Sequence, residues 1–195
     1  IHTNQQRQVT FKSKYFSPDI SNDGSEILAV NVKPDGTNNL HRLQSENGNI
    51  ISTIPNPFNY FFTQTKYINS TYAVSAVRNP DGKMALVKIN INTGETEPIT
   101  PFSFNVLGYP FVKGDTILFT AMNNNADKIF AVTLSGNKIF RLCDNLISVY
   151  YPVVNTKNEL LFSSFTSGGY RLTQSNLEKM EWQSITATDF VAVPE

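Results

Sequence analysis

Four apolar, strand-like segments recur along this 195-residue chain at an interval of 44 to 45 residues. They are Ile27-Leu28-Ala29-Val30, Thr71-Tyr72-Ala73-Val74, Thr116-Ile117-Leu118-Phe119 and Leu160-Leu161-Phe162-Ser163. Self-similarity at a fixed period marks a repeat architecture, in which each unit buries its hydrophobic face against its neighbours. A period of this length, rich in short strands, suits a unit of four antiparallel strands.

The turns recur as well. Asn22-Asp23-Gly24, Pro34-Asp35-Gly36 and Asn47-Gly48 punctuate the first unit, and Pro80-Asp81-Gly82 and Asn92-Thr93-Gly94 the second. Lys113-Gly114 and Ser135-Gly136 follow in the third, and Gly168-Gly169 in the fourth. Asp-Gly and Asn-Gly between β-rich runs mark hairpins, because the tight turn needs positive φ. The second strand of each unit is a near-continuous apolar run, as expected of a strand covered on both faces. Ile27, Leu28, Val30, Val74, Ala76, Ile117, Leu118, Phe119, Leu160, Leu161 and Phe162 are therefore the predicted core. The fourth strands carry Glu95, Glu97, Lys138, Arg141 and Glu181, as strands at an outer rim should. Residues 182–185 are read as the fourth strand of the fourth unit. Gln174 to Met180 is read as a loop. The fold class is all-β, a β-propeller of about four four-stranded blades, as a single domain over 1–195 or part of one. The blades run about 13–62, 63–108, 109–151 and 152–186.

Composition excludes several function classes. Sixteen basic and sixteen acidic residues cancel, so nothing favours the phosphates of nucleic acid. No apolar run reaches the ~18 residues of a membrane span. Cys143 is the only cysteine; in Ile139-Phe140-Arg141-Leu142-Cys143 it reads as a small buried hydrophobe. The chain begins Ile1-His2, which reads as a processed or excised piece of a longer product.

The segment Pro18-Asp19-Ile20-Ser21-Asn22-Asp23-Gly24, followed by Ile27, Ala29 and Val30, resembles the repeat of TolB-type, WD-repeat-like β-propellers. There a Pro, an aromatic or aliphatic residue and a Ser precede a Pro-Asp-Gly turn and an apolar strand. Asn22 stands in place of the usual Pro, and Ile20 in place of the frequent Trp. Pro110, Val112 and Gly114 keep the pattern in the third unit, and Pro152 and Val154 in the fourth. The second unit, Tyr67-Ile68-Asn69-Ser70, has lost it. Asn92-Thr93-Gly94-Glu95 matches the typical Thr-Gly-Glu turn before an outer strand. The resemblance covers about residues 7–186. It implies blades that serve as extracytoplasmic interaction platforms, as substrate-gating domains of peptidases, or occasionally as lyase scaffolds. Its motif residues build turns and carry no activity across.

Candidate sites are sparse. His2 and His41 have no His, Cys or paired carboxylate near them in sequence, so no metal site is expected. No Gly-x-Ser-x-Gly segment selects a nucleophile, and Ser167-Gly168-Gly169-Tyr170 reads as a hairpin turn. Asn22-Asp23-Gly24 and Asp35-Gly36 lack the dense acids of a calcium loop. Asn123-Asn124-Asn125-Ala126-Asp127 is the best remaining metal candidate, but it falls between strands, where an exposed loop is polar with no ion needed. Asn69-Ser70-Thr71 is formally a glycosylation acceptor. Aromatics recur where one blade hands over to the next: Tyr60 and Phe62 (within Phe58 to Phe62), Phe104 beside Phe102, and Tyr150 with Tyr151. They either line a ligand-binding surface or fill the wedge between blades.

The expected function is a non-catalytic recognition module for a protein or peptide partner, periplasmic or extracellular, with no cofactor, no catalytic residues and no bound metal. The alternative is an accessory, substrate-gating propeller of a hydrolase whose catalytic domain lies elsewhere. A third class is a lyase or hydrolase with its own metal in the ring. Arg7-Gln8-Val9-Thr10-Phe11 reads as the outer strand of a preceding blade, and 188–193 as the start of a fifth. The ring is therefore expected to be completed by missing blades or by self-association.

Overall fold

The turn glycines and alternating apolar runs cut the chain as expected, in a computed structural model that describes residues 6–123, 125–143 and 148–191. The first sheet is β1 (Tyr15–Ile20), β2 (Glu26–Val32), β3 (Asn38–Gln44) and β4 (Ile50–Ile54), hydrogen-bonded in chain order. The second is β5 (Phe61–Tyr67), β6 (Tyr72–Arg78), β7 (Met84–Asn90) and β8 (Thr96–Pro98), in the same order. The third contains β9 (Leu107–Lys113), β10 (Thr116–Asn123), β11 (Ala126–Thr133) and β12 (Ile139–Cys143). The fourth contains β13 (Ser148–Val154), β14 (Glu159–Thr166) and β15 (Gly169–Asn176). Every strand pair is antiparallel, and the all-β propeller arrangement read from the repeat is what the chain adopts.

The second strands of the second and third sheets are buried on both faces because each of these sheets is a wedge between two others. Ile117, Phe119 and Ala121 of β10 join Val74, Ala76 and Leu86 in the core between the second and third sheets. Leu118, one residue out of phase, joins Val149, Leu160 and Phe162 between the third and fourth. Successive side chains of a strand point to opposite faces, so one apolar run serves two cores. All the predicted second-strand residues are buried except Ile27 and Leu161, which are half-buried.

Each inner strand breaks its register once. The shifts fall between Phe16 and Asp19, Phe62 and Thr65, and Tyr150 and Val153, and in β9 at Tyr109-Pro110, opposite Leu118 to Thr120. Three of these bulges are X-Pro steps, with Ser17, Tyr109 and Tyr151 at φ of 49°, 55° and 57°. Proline has no N–H to lose from a ladder, so a bulge is where a strand accepts it. Side chains next to the bulges tie the sheets together. Asp19 accepts from Lys66 Nζ and the Tyr67 N–H, both at 2.8 Å, and Gln64 Oε1 accepts the Tyr109 N–H at 2.7 Å. A Cβ on Gly108 would lie 2.5 Å from that Gln64 oxygen, so only glycine admits the link.

Four sequence readings are corrected. The predicted outer strand of the fourth blade, β16 (Glu181–Ile185), pairs instead with β12, from Ile139↔Ile185 to Cys143↔Glu181, as the fifth strand of the third sheet. Residues 177–179 explain the detour. They form a 3-10 turn capped by the Asn176 side chain, and Leu177 is buried in the core between the third and fourth sheets. Trp182 then packs edge-on against Phe140 at 5.8 Å and donates its Nε1–H to the Leu177 carbonyl. The expected loop from Gln174 to Met180 is accordingly the end of β15 followed by this turn.

The segment from residue 188, expected to open a fifth blade, forms a short helix α1 (Ala187–Val191). Thr186 Oγ1 accepts the Asp189 N–H at 3.0 Å and donates to the Asp189 carboxylate at 2.7 Å, a reciprocal cap that starts the helix. Residues 7–11 form no strand. They run past the turn at Gly48, where a Cβ would meet the Val9 carbonyl oxygen at 2.2 Å.

Cys143 ends β12, and its side chain lies outside the described residues. The more extensive strand contacts between sheets join first to second, second to third and third to fourth. Among the described residues no helix is long and apolar enough to cross a membrane.

Candidate functional site: a tyrosine-lined groove along the inner strands

The aromatics singled out in the sequence part company. Phe62 has no exposed surface and Tyr60 little, because both fill the wedge between the first two sheets with Leu28, Leu40 and Val77. Tyr60 is sandwiched by Phe58 and Phe102, with ring centroids at 5.4 and 5.7 Å. These two readings as ligand contacts are corrected to packing. Phe104 is exposed, with the Lys83 ammonium 5.6 Å from its ring centre, and stands outside the groove. Tyr150 and Tyr151 do line a cavity.

That cavity has a volume of about 670 Å³ and opens where the inner strands of the second, third and fourth sheets meet. A second hollow of about 410 Å³ shares Gln64, Tyr109 and Tyr151 with it and continues to Asp19 and Lys66. Together they form one groove touched by all four inner strands. The bulges explain why tyrosines project there. At positive φ a residue leaves the strand alternation, so Tyr109 and Tyr151 turn away from the inter-sheet cores. A bulky residue in this conformation costs about 1 to 3 kcal/mol and persists only where its surroundings enforce it.

The two rings meet at 4.0 Å between centroids, and the Tyr151 hydroxyl donates to that of Tyr109 at 3.3 Å. That bond, and then burial, push the Tyr109 hydroxyl up to about 12. Tyr170, from the fourth-sheet hairpin, stands edge-on to Tyr150 at 5.9 Å and to Phe165 at 5.3 Å. Burial, and then a hydrogen bond to Asp127, raise Tyr150. Tyr109 and Tyr150 thus stay neutral at physiological pH, and all four rings offer apolar faces with polar tips.

Asp127 came from the Asn-rich segment read as a loop with a weak claim to a metal; it lies in β11, and Asn124 lies outside the described residues. Among the described residues no group of three or more His, Cys, Asp and Glu gathers. The remaining motifs are turns. Asp23 is held down to about 2 by hydrogen bonds from Ser21 and Ser25, which close its own turn. Asn69 Oδ1 accepts the N–H groups of Thr71 and Tyr72. Ser167-Gly168 is the two-residue link of the β14–β15 hairpin.

His41 is buried, and its Nδ1 shares a 2.7 Å hydrogen bond with the Tyr15 hydroxyl. Burial, and then the Lys33 charge, lower its pKa. A folded-state value below the unfolded one means the unfolded chain binds the extra proton. The stabilisation from neutral His41 is full above the unfolded value of about 6.5 and falls as pH drops toward the folded value. Denaturant titrations at pH 7.5 and 5 (about the limits of the titration range) should show this loss in the wild type. A His41→Gln variant should lose less over the same interval. Equal losses in the two proteins would exclude His41 as the source.

No family profile matches the chain, and no curated protein matches it. Solved structures do. A putative TolB from Agrobacterium tumefaciens superimposes with a TM-score of 0.70 at 14% identity, over 86% of this chain and 63% of that one. The chain has a TolB-like β-propeller fold. A puromycin-hydrolyzing peptidase from Mycobacterium tuberculosis gives 0.71 at 8% identity, over 91% of this chain and 29% of that one. An oligogalacturonate lyase in complex with manganese gives 0.65 at 14% identity, over 89% and 53%. The TolB-like chain thus spans from under a third to under two thirds of these structures. Its likeness to them is one of fold.

Proposed function

We propose that this TolB-like propeller is a non-catalytic recognition module that holds an extended peptide segment of a protein partner in the tyrosine-lined groove. The observation that carries this reading is the pair of tyrosines, Tyr109 and Tyr151, held at positive φ beside an open cavity. Tyrosine provides a large, rigid contact area with a polar tip and little conformational entropy to lose, the usual anchor of a recognition surface. Among the described residues the groove walls offer no histidine or cysteine to act as base or nucleophile. The module works outside the cytoplasm.

The alternative is an accessory domain that gates access to a hydrolase domain outside this chain. It draws its support from the likeness to the puromycin-hydrolyzing peptidase, of which this chain covers 29%.

Peptides selected from a displayed library against the immobilised chain test the reading. They should bind the wild type and lose about tenfold or more in affinity on Tyr151→Ala, as expected of a central aromatic anchor. Selected peptides indifferent to Tyr151→Ala and Tyr150→Ala would overturn the groove. Cleavage of a peptide that survives repurification and disappears on one side-chain substitution would overturn the non-catalytic assignment.

Additional blades or a second copy cover the outer faces. Exposed Phe16 and Ile20 on β1, and Leu172 on β15, support this. Light scattering together with an experimental structure tests this: a stable monomer whose fourth sheet packs directly on its first would overturn it.

A further inference from the structure

We infer that the groove takes a cationic group of its ligand, the ammonium or guanidinium of a basic peptide side chain, where Tyr150, Tyr170 and Asp127 meet. The inference rests on the groove reading above and deepens it. Three observations converge on this end of the cavity.

The first is aromatic. Tyr109, Tyr150, Tyr151 and Tyr170 all contribute to the walls of the cavity, and their rings lie 4.0 to 6.4 Å apart in a chain of neighbours. The face of a phenol ring carries the negative lobe of its quadrupole, so several rings around one space favour a cation. The second is a carboxylate. The ion pairs among the described residues join Arg42 to Glu26, Lys66 to Asp19 and Lys88 to Glu97; Asp127 takes part in none of them. It lines the same cavity as Tyr150 and Tyr170, and its backbone N–H donates to Ser148 Oγ at 3.3 Å, two residues before Tyr150 on β13. The third is polarity along the groove. Arg78 lines the same cavity from β6, anchored to the Gly82 carbonyl at 3.0 Å and the Met84 sulfur at 3.4 Å. Arg78 lines the cavity from the second sheet and Asp127 from β11, bonded to β13 of the fourth; a cation is repelled by the first and attracted by the second, which orients the ligand. An acidic or carbonyl group of the ligand falls toward Arg78.

Calorimetric titration of the whole chain with three capped tripeptides tests this: acetyl-Ala-Arg-Ala-amide, its Gln analogue and its Glu analogue. The Arg peptide should bind about tenfold or more tighter than the Gln peptide, and the Glu peptide no tighter than Gln. Asp127→Asn, which keeps the shape of the side chain, should reduce the Arg preference to about twofold or less, the ring faces alone remaining. Tyr170→Ser gives a second reading of the same preference should the Asp127 variant fold poorly. Arg and Gln peptides that bind alike, or a preference that survives Asp127→Asn, would overturn the cation site. If both peptides bind equally and both are lost on Tyr151→Ala, the groove stands and only its charge preference falls. If none of the three binds, the cation site is overturned, and the library selection decides the groove separately.

Discussion

Phe190→Ala is expected to lower the free energy of unfolding by about 3 to 5 kcal/mol, the range for removing a buried phenylalanine. The side chain is 1% exposed although it stands in the last described turn of the chain. It packs edge-on against Phe130 at 5.3 Å and against Phe119 at 6.0 Å, inside the core between the second and third sheets. The carbonyl of Phe190 also accepts the Asn105 Nδ2–H at 2.9 Å, in a buried position. A helix of one turn has no stability of its own, so docking of this ring is what holds α1. The alanine variant loses the ring and then the helix, exposing Phe119 and Phe130 to water. Urea denaturation monitored by far-ultraviolet circular dichroism reads the loss. A change under about half a kilocalorie, the range of ordinary surface substitutions, would mean that the segment does not dock.

Leu118→Ala is expected to cost about 2 to 5 kcal/mol. Leu118 is wholly buried and faces Ile129, Leu142, Val149 and Leu160, with Ile117 and Phe119 on its flanks turned to the opposite core. The backbone around it is paired on both sides, by β9 and by β11, so little can collapse into the space left behind. The same denaturation experiment applies. A loss below about half a kilocalorie would place β10 at a surface, and the register of the third sheet would have to be redrawn.

The repeat was legible because its signals are local. Positive-φ glycines at 24, 36, 48, 82, 94 and 114 stand where the hairpins needed them. Inner strands were read less well. Phe61, Phe62, Leu107 and Tyr150 belong to β5, β9 and β13, yet they read as connections, because a bulge resets the two-residue alternation and hides the strand before it. The same bulges build the groove, so the residues hardest to place from the pattern are those that line it. Tyr151 and Tyr150 were visible as recurring aromatics. Tyr109 carried no signal of its own, Asp127 stood at the end of the Asn-rich segment, and Tyr170 at the end of the Ser167-Gly168-Gly169-Tyr170 turn.

What the chain order determined by itself is the set of strands, their antiparallel pairing within hairpins, and which faces are apolar. Each depends on neighbours a few residues apart. The partner of β16 and the docking of α1 are long-range choices. An edge strand can pair with any open edge that its backbone reaches, and hydrogen bonding alone does not distinguish the β15 edge from that of β12. Burial of Leu177 between sheets, the Trp182–Phe140 contact and the space for Phe190 beside Phe119 make the choice, and these exist only once the blades have packed. The groove has the same origin. No two of its sheets share a hairpin, so Tyr109, Asp127, Tyr150 and Tyr170 meet only because wedge-shaped sheets close side by side around one line.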